Sequence, residues 1–326
     1  MGANIAWCLM GFSLLYYGAE WLVKGASNLA SSLGIRPVVI GLTVVAFGTS
    51  APELVVSIVA AIEGKSMIAV GNVVGSNICN IALVLGTATV FHPISCHPSI
   101  LQRDIPIMMG VSVYLLVVTA NSVIGRWEGA SLFGGVIFYI FYNYVLVKEK
   151  VDLGVGDEKT AVILEREEIS IVKKRSRQIL WILIGIAGVI GGAQIVVNAA
   201  VNIMTTLGLS EKLIGLTIVA FGTSLPELAT SVVAAVRRQM DISLGNLVGS
   251  NVFNILSVIG GAAIFRPILI PGGFLKSGLM MDYFVMMFIS FLPWVMMRRT
   301  YTLTRVNGLV LLACYAGYLI YLVGRR

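Results

Sequence analysis

Charged residues are scarce in this chain. Only 12% of its 326 residues are Asp, Glu, Lys or Arg, and its mean hydropathy is +0.92. A soluble globular domain carries about a quarter charged residues, so the composition excludes an ordinary soluble fold and indicates a chain that lies in lipid. Long apolar stretches then predict an all-α membrane protein, because a helix needs roughly 20 mostly apolar residues to cross a bilayer.

Histidine and cysteine are also rare, with two and four residues. The cysteines form no CxxC pair, and the spacing of His92, Cys96 and His97 matches no strong zinc signature. The sequence contains neither HExxH nor GxSxG, the motifs of zinc proteases and serine hydrolases. We therefore expect neither an enzyme nor a bound cofactor. The net charge of +7 does not indicate a nucleic-acid partner.

Ten apolar stretches are long enough to cross a membrane. They lie at residues 4–33, 37–62, 67–91, 101–121, 128–147, 179–207, 213–236, 242–265, 278–297 and 303–323. A polar segment with eight basic and seven acidic residues separates the first five from the last five. The predicted organisation is a first unit at 1–147, a solvated linker at 148–178 and a second unit at 179–326.

The basic residues outside the predicted spans are unevenly distributed. If the 148–178 linker lies in the cytoplasm, 15 Lys and Arg residues lie on that side and 7 on the other, with Lys24 inside the first span. Cytoplasmic loops of membrane proteins carry an excess of Lys and Arg. The sequence therefore predicts a multi-pass protein of the cell membrane with a cytoplasmic linker and both termini outside.

The two halves of the chain share an internal repeat. Residues 41–81 and 215–255 align without a gap at an offset of 174, and 25 of the 41 positions are identical. Each half has five predicted spans, and an odd number places the second copy upside down in the membrane. This pattern is typical of the inverted repeats of secondary transporters, whose ion sites lie near the membrane midplane between the copies.

Two charges inside predicted spans, Glu53 and Glu227, occupy equivalent positions in the repeat. A charge at bilayer depth is costly and by default indicates a function. Each glutamate follows a proline in the motif GTSxPE. Because proline breaks the helix ladder, Pro52 and Pro226 should break the second and seventh spans and free carbonyl oxygens nearby. Carboxylate and carbonyl oxygens together suit a hard cation such as Ca²⁺.

Neutral oxygen atoms accompany the two glutamates. Helical spacing places Ala46, Thr49 and Ser50 on the face of Glu53. The equivalent residues of the second half are Ala220, Thr223 and Ser224. In the span that follows each glutamate, further candidates are spaced by four residues: Asn72, Ser76 and Asn80, and Asn246, Ser250 and Asn254. Such an all-oxygen pocket does not suit copper or zinc, although Cys79 is near it in sequence.

Structural roles are alternatives for several of these residues. Hydrogen bonding between helices is an alternative to ion binding for Asn80 and Asn254, and an equal one for four others, Asn72, Asn77, Asn246 and Asn251. The GxxxG glycines at 71 and 75, and at 245 and 249, favour close helix packing. Glu20 and Lys24 are spaced i, i+4, and we predict that they neutralise each other.

The paired motifs GTSAPE and GTSLPE, with GNVVGSNICN and GNLVGSNVFN, resemble the alpha repeats of the calcium/cation antiporter superfamily, most of all those of prokaryotic sodium/calcium exchangers. The resemblance implies exchange of intracellular Ca²⁺ for extracellular Na⁺ by alternating access, with the first and sixth helices sliding as a gate. It implies that Ca²⁺ is held by Glu53, Glu227 and the carbonyls of Thr49 and Thr223. It further implies that the Na⁺ sites are completed by Ala46, Ser50, Ser76, Asn80, Ala220, Ser224, Ser250 and Asn254.

The coupling ion is the open part of this prediction. Some prokaryotic members of the superfamily carry Asp at the position of Asn254. This chain carries Asn there and at the equivalent Asn80, so its predicted pocket has only the two acidic groups Glu53 and Glu227. Exchange of Ca²⁺ for H⁺ is the first alternative, although such exchangers usually carry a GNxxE motif in place of GTSxPE. A Ca²⁺-selective channel is the second, and the inverted repeat argues against it because a pore more naturally uses symmetry about the membrane normal. The expected partners are Ca²⁺, Na⁺ and the lipid bilayer, and a monomer is compatible with the sequence.

Overall fold

A computed structural model describes residues 2–152, 168–207, 220–272 and 277–324. In the first half the elements are α1 (Gly2–Ser32), α2 (Pro37–Ile40), α3 (Ala46–Thr49), α4 (Ala51–Ile62), α5 (Ser66–Ile78), α6 (Gly86–Phe91), β1 (Ile94–Ser95), α7 (Ile105–Val118), β2 (Val123–Ile124) and α8 (Arg126–Asp152). In the second half they are α9 (Glu168–Thr206), α10 (Ala220–Gly222), α11 (Leu225–Val236), α12 (Met240–Phe253), α13 (Gly260–Phe265), β3 (Ile268–Leu269), α14 (Leu279–Met297), β4 (Thr302–Leu303) and α15 (Arg305–Gly324). Segments of π-helix lie at Gly41–Val45, Cys79–Leu85, Ile100–Asp104 and Asn254–Ile259.

Six of the described helices are long and apolar enough to cross a membrane. They are Ser66–Phe91, Ile100–Val118, Arg175–Thr206, Met240–Phe265, Leu279–Met297 and Arg305–Leu322. The bent pair Pro37–Thr49 and Ala51–Ile62 makes a seventh if it is one span. The chain is therefore an all-helical, multi-pass membrane protein with six or seven apolar spans.

Three of the ten predicted spans are not among these seven. Helices α1 and α8, with 31 and 27 residues, coincide with the first and fifth predicted spans and are long enough to cross a bilayer. The seventh predicted span is described only from Ala220 onward, and its helix α11 has 12 residues. The count of ten spans remains a prediction at these three places.

The second predicted span is broken, and this prediction is confirmed. Helix α3 ends at Thr49, α4 begins at Ala51, and the two pieces meet at an angle of 44°. Pro52 lies in the first turn of α4, where its missing N–H leaves no helical hydrogen bond unmade. In the second half α10 ends at Gly222 and α11 begins at Leu225, so the chain turns at the equivalent place. Residues 208–219 lie outside the described part of the chain.

The four short strands join one half of the chain to the other. Strand β1 pairs with β4 in antiparallel register, Ile94 opposite Leu303, and β2 pairs with β3 in the same way, Ile124 opposite Ile268. Each two-stranded sheet thus contains one strand from each half. These pairings fix which helix ends lie at the same side of the bundle.

Helices α1 and α9 approach each other so closely that their backbones touch. A Cβ atom on Gly18 would lie 2.7 Å from the backbone nitrogen of Val189, and one on Gly185 would lie 2.5 Å from that of Leu22. Small residues allow such contact between helices in a membrane. No larger side chain fits at these positions unless the two helices move apart.

The GxxxG glycines of the second half also pack closely, as the sequence predicts. A Cβ on Gly245 would lie 2.8 Å from the carbonyl oxygen of Val38, and one on Gly249 would lie 2.6 Å from that of Leu42. Helix α12 therefore packs directly on the broken span of the first half. In the repeat, Gly71 and Gly75 are equivalent to Gly245 and Gly249, and residues 212 and 216 are equivalent to Val38 and Leu42. Residues 212 and 216 lie outside the described residues.

Two details differ from the sequence-based expectation. Glu20 does not pair with Lys24, because Arg237, just past the end of α11, donates a hydrogen bond to its carboxylate instead. The helix surface brings Glu20 and Lys24 close, but the packing of α1 on α11 brings a guanidinium closer. The described ends of the 148–178 linker are also helical, since α8 continues to Asp152 and α9 begins at Glu168.

Candidate cation site

Glu53 and Glu227 each lie in the first turn of a helix, α4 and α11. The break before each helix places the carboxylate next to backbone N–H groups that have no partner in the helix. The positive end of the helix dipole stabilises a negative charge at this position. Both side chains are fully buried, at 0% exposure. The proline break therefore positions each acid and also supports its charge.

Neither glutamate has a cationic partner among the described residues. The ion pairs there join Lys65 to Glu63, Arg103 to Asp104, and Arg237 to Glu20. Glu53 and Glu227 lie near enough for electrostatic repulsion to act between their carboxylates. An uncompensated buried charge costs several kcal/mol. A bound cation would remove both the repulsion and much of this cost.

The second-half glutamate is surrounded by polar groups from both halves. Ser50, at the break of the first half, donates a hydrogen bond from Oγ to Glu227 Oε1 over 3.2 Å. The side chains of Thr49 and Ser250 lie beside the same carboxylate. Thr49 Oγ1 also donates to Asn246 Oδ1 over 3.1 Å. The break of one half therefore forms part of the environment of the acid of the other.

The first-half glutamate is less surrounded. Neither oxygen of the Glu53 carboxylate has a hydrogen-bond partner within the described part of the chain, although Thr223 lies beside it. Asn72 Nδ2 donates to the backbone carbonyl of Glu53 over 3.2 Å. This contact holds the first turn of α4 in place and leaves both carboxylate oxygens of Glu53 available to a ligand.

Four asparagines form a reciprocal hydrogen-bond network between the two halves. Asn80 Nδ2 donates to Asn251 Oδ1 over 3.1 Å, and Asn254 Nδ2 donates to Asn77 Oδ1 over 3.0 Å. These bonds determine which way the amides of Asn80 and Asn254 point. Both residues lie in π-helical segments, an irregularity that is frequent at functional sites.

Six buried oxygen atoms of the predicted site residues have no hydrogen-bond partner in the described structure. They are both carboxylate oxygens of Glu53, Glu227 Oε2, Ser224 Oγ, and the amide oxygens of Asn80 and Asn254. Buried polar atoms are almost always hydrogen-bonded, and each exception calls for an explanation such as an ion. A cation with all-oxygen coordination would satisfy atoms of exactly this kind.

In each half, one hydrogen bond attaches the helix after the break to the helix that follows it, and the two bonds occupy equivalent positions in the repeat. Asn72 Nδ2 donates to Ser57 Oγ over 2.9 Å, and Asn246 Nδ2 donates to Ser231 Oγ over 3.1 Å. Both pairs are related by the offset of 174. Asn72 and Asn246 thus act in the scaffold of the site through their amide nitrogens, which is the structural alternative considered for them.

The remaining predicted residues are placed as follows. The carbonyl of Ala46 accepts hydrogen bonds from Ser50 N at 3.0 Å and from Thr49 Oγ1 at 3.4 Å. Ser76 is buried on α5, and Ser250 Oγ lies 3.4 Å from Thr49 Oγ1. Ala220 begins α10, and Thr223 lies in the turn that follows it. Ion binding by each of these residues remains a prediction.

Asn77 and Asn251 are two residues for which the sequence left ion binding and helix packing as equal alternatives. Their identity at equivalent repeat positions was the available signal, but it did not distinguish packing from a role in ion binding. Cys79 is a further neighbour, since its thiol lies beside Ser224 and Tyr315. No group of three or more His, Cys, Asp or Glu side chains in the described residues is placed to hold a metal. The candidate site therefore brings together two carboxylates and neutral oxygens.

Comparison with known proteins gives concordant matches over almost the whole chain. The family model of the sodium/calcium exchanger protein matches residues 3–147 and 177–324. The chain is 38% identical over 314 residues to the putative antiporter CaxA of Alkalimonas amylolytica, covering 95% of each chain. It is 32% identical over 352 residues to the sodium/calcium exchanger MaX1 of Methanosarcina acetivorans, covering 98% of each.

Two further matches concern location and fold. The inner membrane protein YrbG of Escherichia coli is 34% identical over 285 residues, covering 86% of this chain and 85% of that protein. A solved structure of the sodium-calcium exchanger NCX_Mj superposes with a TM-score of 0.80 at 30% identity, over 97% of this chain and 98% of that one.

Proposed function

The chain belongs to the sodium/calcium exchanger protein family, and we propose that it exchanges Na⁺ for Ca²⁺ across the cell membrane by alternating access, normally extruding Ca²⁺. As a member of this family it is a cation/calcium exchanger and not an enzyme. The identity of the coupling ion and the residues that bind each ion are the proposed part.

One observation carries this proposal. Glu53 and Glu227 are fully buried, close to each other and without a cationic partner among the described residues. Two formal negative charges match one Ca²⁺. The pair of charged glutamates is costly at bilayer depth when no cation is bound. The protein should therefore switch between its outward-open and inward-open states mainly when cations occupy the site. That restriction is what couples the movement of one ion to the movement of the other.

For Ca²⁺ we propose the carboxylates of Glu53 and Glu227 with the backbone carbonyls of Thr49 and Thr223. Two bidentate carboxylates and two carbonyls supply about six oxygens, the lower limit of calcium coordination. The break at Ser50 supports this assignment, because the last carbonyls of a helix have no partner in that helix. Thr223 likewise lies in the turn between α10 and α11, which supports the equivalent assignment for its carbonyl.

For Na⁺ we propose sites that share the two carboxylates and are completed by neutral oxygens. The candidates are the residues implied by the family resemblance: Ala46, Ser50, Ser76, Asn80, Ala220, Ser224, Ser250 and Asn254. The unpartnered oxygens of Ser224, Asn80 and Asn254 support this proposal. If both ions need Glu53 and Glu227, they cannot occupy the site together, and competition for the same charges produces exchange.

We further propose ten spans in two inverted units, at 1–147 and 179–326, joined by the linker at 148–178. The strand pairs support this topology. Because paired strands are in contact, β1 and β4 must lie at the same face of the membrane, and β2 and β3 must also share a face. One span, Ile100–Val118, separates β1 from β2, so the two sheets lie at opposite faces. Ten alternating spans satisfy this requirement. The excess of basic residues near the linker favours a cytoplasmic linker and outside termini.

The proposal is tested by ion flux in liposomes that contain the purified protein. Vesicles loaded with Na⁺ are diluted into Na⁺-free medium with radioactive Ca²⁺. We expect Ca²⁺ uptake that requires internal Na⁺ and is absent when K⁺ or choline replaces it. Uptake that ignores Na⁺ and follows an imposed pH gradient would replace Na⁺ by H⁺ as the coupling ion. Uptake that needs neither gradient would indicate a channel.

The site assignment is tested with Glu53→Gln and Glu227→Gln in the same assay. Each variant removes half of the formal negative charge that faces Ca²⁺, so we expect uptake to fall to background. Glu63→Gln is the matched control, because Glu63 is exposed and its one ion-pair partner among the described residues is Lys65, at 2.7 Å. Normal uptake by either site variant would show that the cation binds elsewhere.

A further inference from the structure

A polar cleft lies between α1 and α9, away from the cation site. Its volume is about 540 Å³, within the usual range for ligand pockets. It is lined by Lys24, Asn28, Ser31 and Ser32 of α1 and by Arg177, Gln178 and Trp181 of α9. We call it the α1–α9 cleft. Of these seven described lining residues two are cations and none is acidic, so the described part of the cleft suits an anion.

The two cations of the cleft have no acidic partner among the described residues. Lys24 and Arg177 form no ion pair within the described part of the chain, and Glu20, one turn before Lys24, is bound by Arg237. Arg175 lies next to the cleft and donates from Nη2 to the carbonyl of Ser32 over 2.7 Å. Its buried Nε has no acceptor among the described residues. An anion in the cleft would meet two positive charges that no described acid neutralises, beside a third.

A buried polar atom of the cleft also has no hydrogen-bond partner in the described part of the chain. Gln178 is 6% exposed, and its Oε1 accepts no hydrogen bond among the described residues. Buried amide oxygens are rarely left in this state. A ligand that carries a hydroxyl donor next to its negative charge would satisfy Gln178 while it binds Lys24 and Arg177.

The position of the cleft indicates where such a ligand comes from. Ser32 is the last residue of α1, and Arg175 begins the apolar span of α9, so the cleft lies at the end of two long helices. Ile179, Leu180 and Leu183, directly after Gln178, are 48%, 55% and 58% exposed and can face acyl chains. The rings of Trp21 and Trp181 lie 5.7 Å apart, and tryptophan is enriched at the membrane interface.

We infer that the α1–α9 cleft binds the phosphate headgroup of an anionic phospholipid. The phosphate would lie between Lys24 and Arg177, a headgroup hydroxyl would donate to Gln178, and the acyl chains would run along the apolar face of α9. Basic pockets between membrane helices bind lipid headgroups in this way. A phospholipid so placed contacts both α1 and α9. This inference does not depend on which ions the protein exchanges.

Native mass spectrometry of the purified, delipidated full-length protein tests the inference. Phosphatidylglycerol and phosphatidylcholine are titrated separately, and we expect tighter binding of phosphatidylglycerol. A basic residue near an anionic headgroup contributes roughly fivefold in affinity, so Lys24→Gln with Arg177→Gln should weaken phosphatidylglycerol binding by roughly twentyfold or more. Arg299→Gln removes an exposed positive charge elsewhere on the protein and should leave binding unchanged.

Two further arms keep the outcome decisive. Ser31→Glu leaves both cations in place but adds a negative charge to the cleft, so it should also abolish the preference for phosphatidylglycerol, and it decides the question if the double variant does not fold. Glycerol 3-phosphate should not displace the lipid at equal concentration. Displacement would show that the cleft takes a free phosphate instead. Equal binding of both lipids, or full binding by both cleft variants, would overturn the inference.

Discussion

Asn77 and Asn251 donate hydrogen bonds to each other's backbone carbonyl oxygens, and both N···O distances are 3.3 Å. The two residues are related by the repeat offset of 174, so this contact lies where the two halves of the chain meet. Each residue also accepts a hydrogen bond from the amide nitrogen of a proposed ion ligand, Asn254 or Asn80. Asn77 and Asn251 therefore position two amide oxygens without belonging to the predicted site.

This network predicts that Asn77→Ala and Asn251→Ala weaken ion binding although the glutamates are untouched. Each change frees one amide, of Asn254 or of Asn80, to rotate away from the site. We expect the Ca²⁺ and Na⁺ concentrations for half-maximal flux to rise by roughly tenfold, the effect of a lost interaction of about 1.4 kcal/mol. Kinetics of Na⁺-dependent Ca²⁺ uptake measure this change.

The control for these variants is Asn198→Ala, which removes an exposed asparagine of α9 whose side chain accepts a hydrogen bond from Gln194. It should leave both concentrations unchanged. Because the network is reciprocal, the two site variants should have similar effects. An unchanged ion dependence in both would mean that the asparagine network serves only helix packing.

The two serine–asparagine pairs predict a difference in stability between the halves. Ser231→Ala leaves the amide nitrogen of the fully buried Asn246 without its acceptor, which should cost about 1–2 kcal/mol. Ser57→Ala removes the equivalent acceptor from Asn72, which is only partly buried and has a second acceptor in the carbonyl of Glu53. We expect the smaller loss from Ser57→Ala, measured by thermal unfolding in detergent. The reverse order would contradict this account of the two pairs.

The backbone contact between α1 and α9 predicts that Gly18→Ala is destabilising. The added Cβ would lie 2.7 Å from the backbone nitrogen of Val189, so the helices must separate. Overpacking of this kind costs about 1–3 kcal/mol. Gly317→Ala on α15 meets no described neighbour and should be neutral or stabilising, because alanine favours a helix more than glycine does. Thermal unfolding of both variants measures the contrast, and equal melting temperatures would contradict it.

The thiol of Cys96 should be protected from alkylation by the fold. Cys96 lies next to β1, its backbone N–H donates to the carbonyl of Tyr301 over 2.8 Å, and burial raises the pKa of its thiol to about 11. The thiolate is the reactive form, and a raised pKa lowers its fraction at pH 8 by roughly a hundredfold relative to an exposed cysteine.

Peptide mapping after iodoacetamide treatment measures the labelling of each cysteine in the folded and the denatured protein. Labelling of Cys96 should be slow in the folded protein, should accelerate as the pH rises toward 11, and should be fast after denaturation. Cys96 in the denatured protein is the internal control, because the fold no longer covers its thiol. Equally fast labelling of Cys96 in both states would show that β1 and β4 do not cover it.

Local chemistry explains why the broken helix and the two buried acids of the candidate site could be predicted from the sequence. A proline acts on the helix in which it lies, so the break before Glu53 follows from Pro52 without knowledge of any neighbour. The burial of Glu53 and Glu227 follows from the apolar residues on both sides of them. The equivalence of the two glutamates follows from an ungapped alignment of the halves.

Contacts between distant helices could not be predicted in the same way. The spacing of Glu20 and Lys24 suggested a pair on one helix, but the packing of α1 on α11 brings Arg237 to Glu20. The repeat showed that Asn77 and Asn251 are equivalent, but only the folded chain shows that they bind each other.

The sequence by itself determined the membrane environment, the repeat, the proline break in the second span and the two acids, because each depends on composition or on residues within a few turns of one helix. Only the tertiary structure decided which partners the polar side chains find. It joined Ser50 to Glu227, joined the asparagines across the two halves, and left six oxygens without a hydrogen-bond partner among the described residues. The physical reason is that hydrogen bonds between helices depend on distances of a few ångströms set by packing, and helical periodicity specifies only the face on which a residue lies.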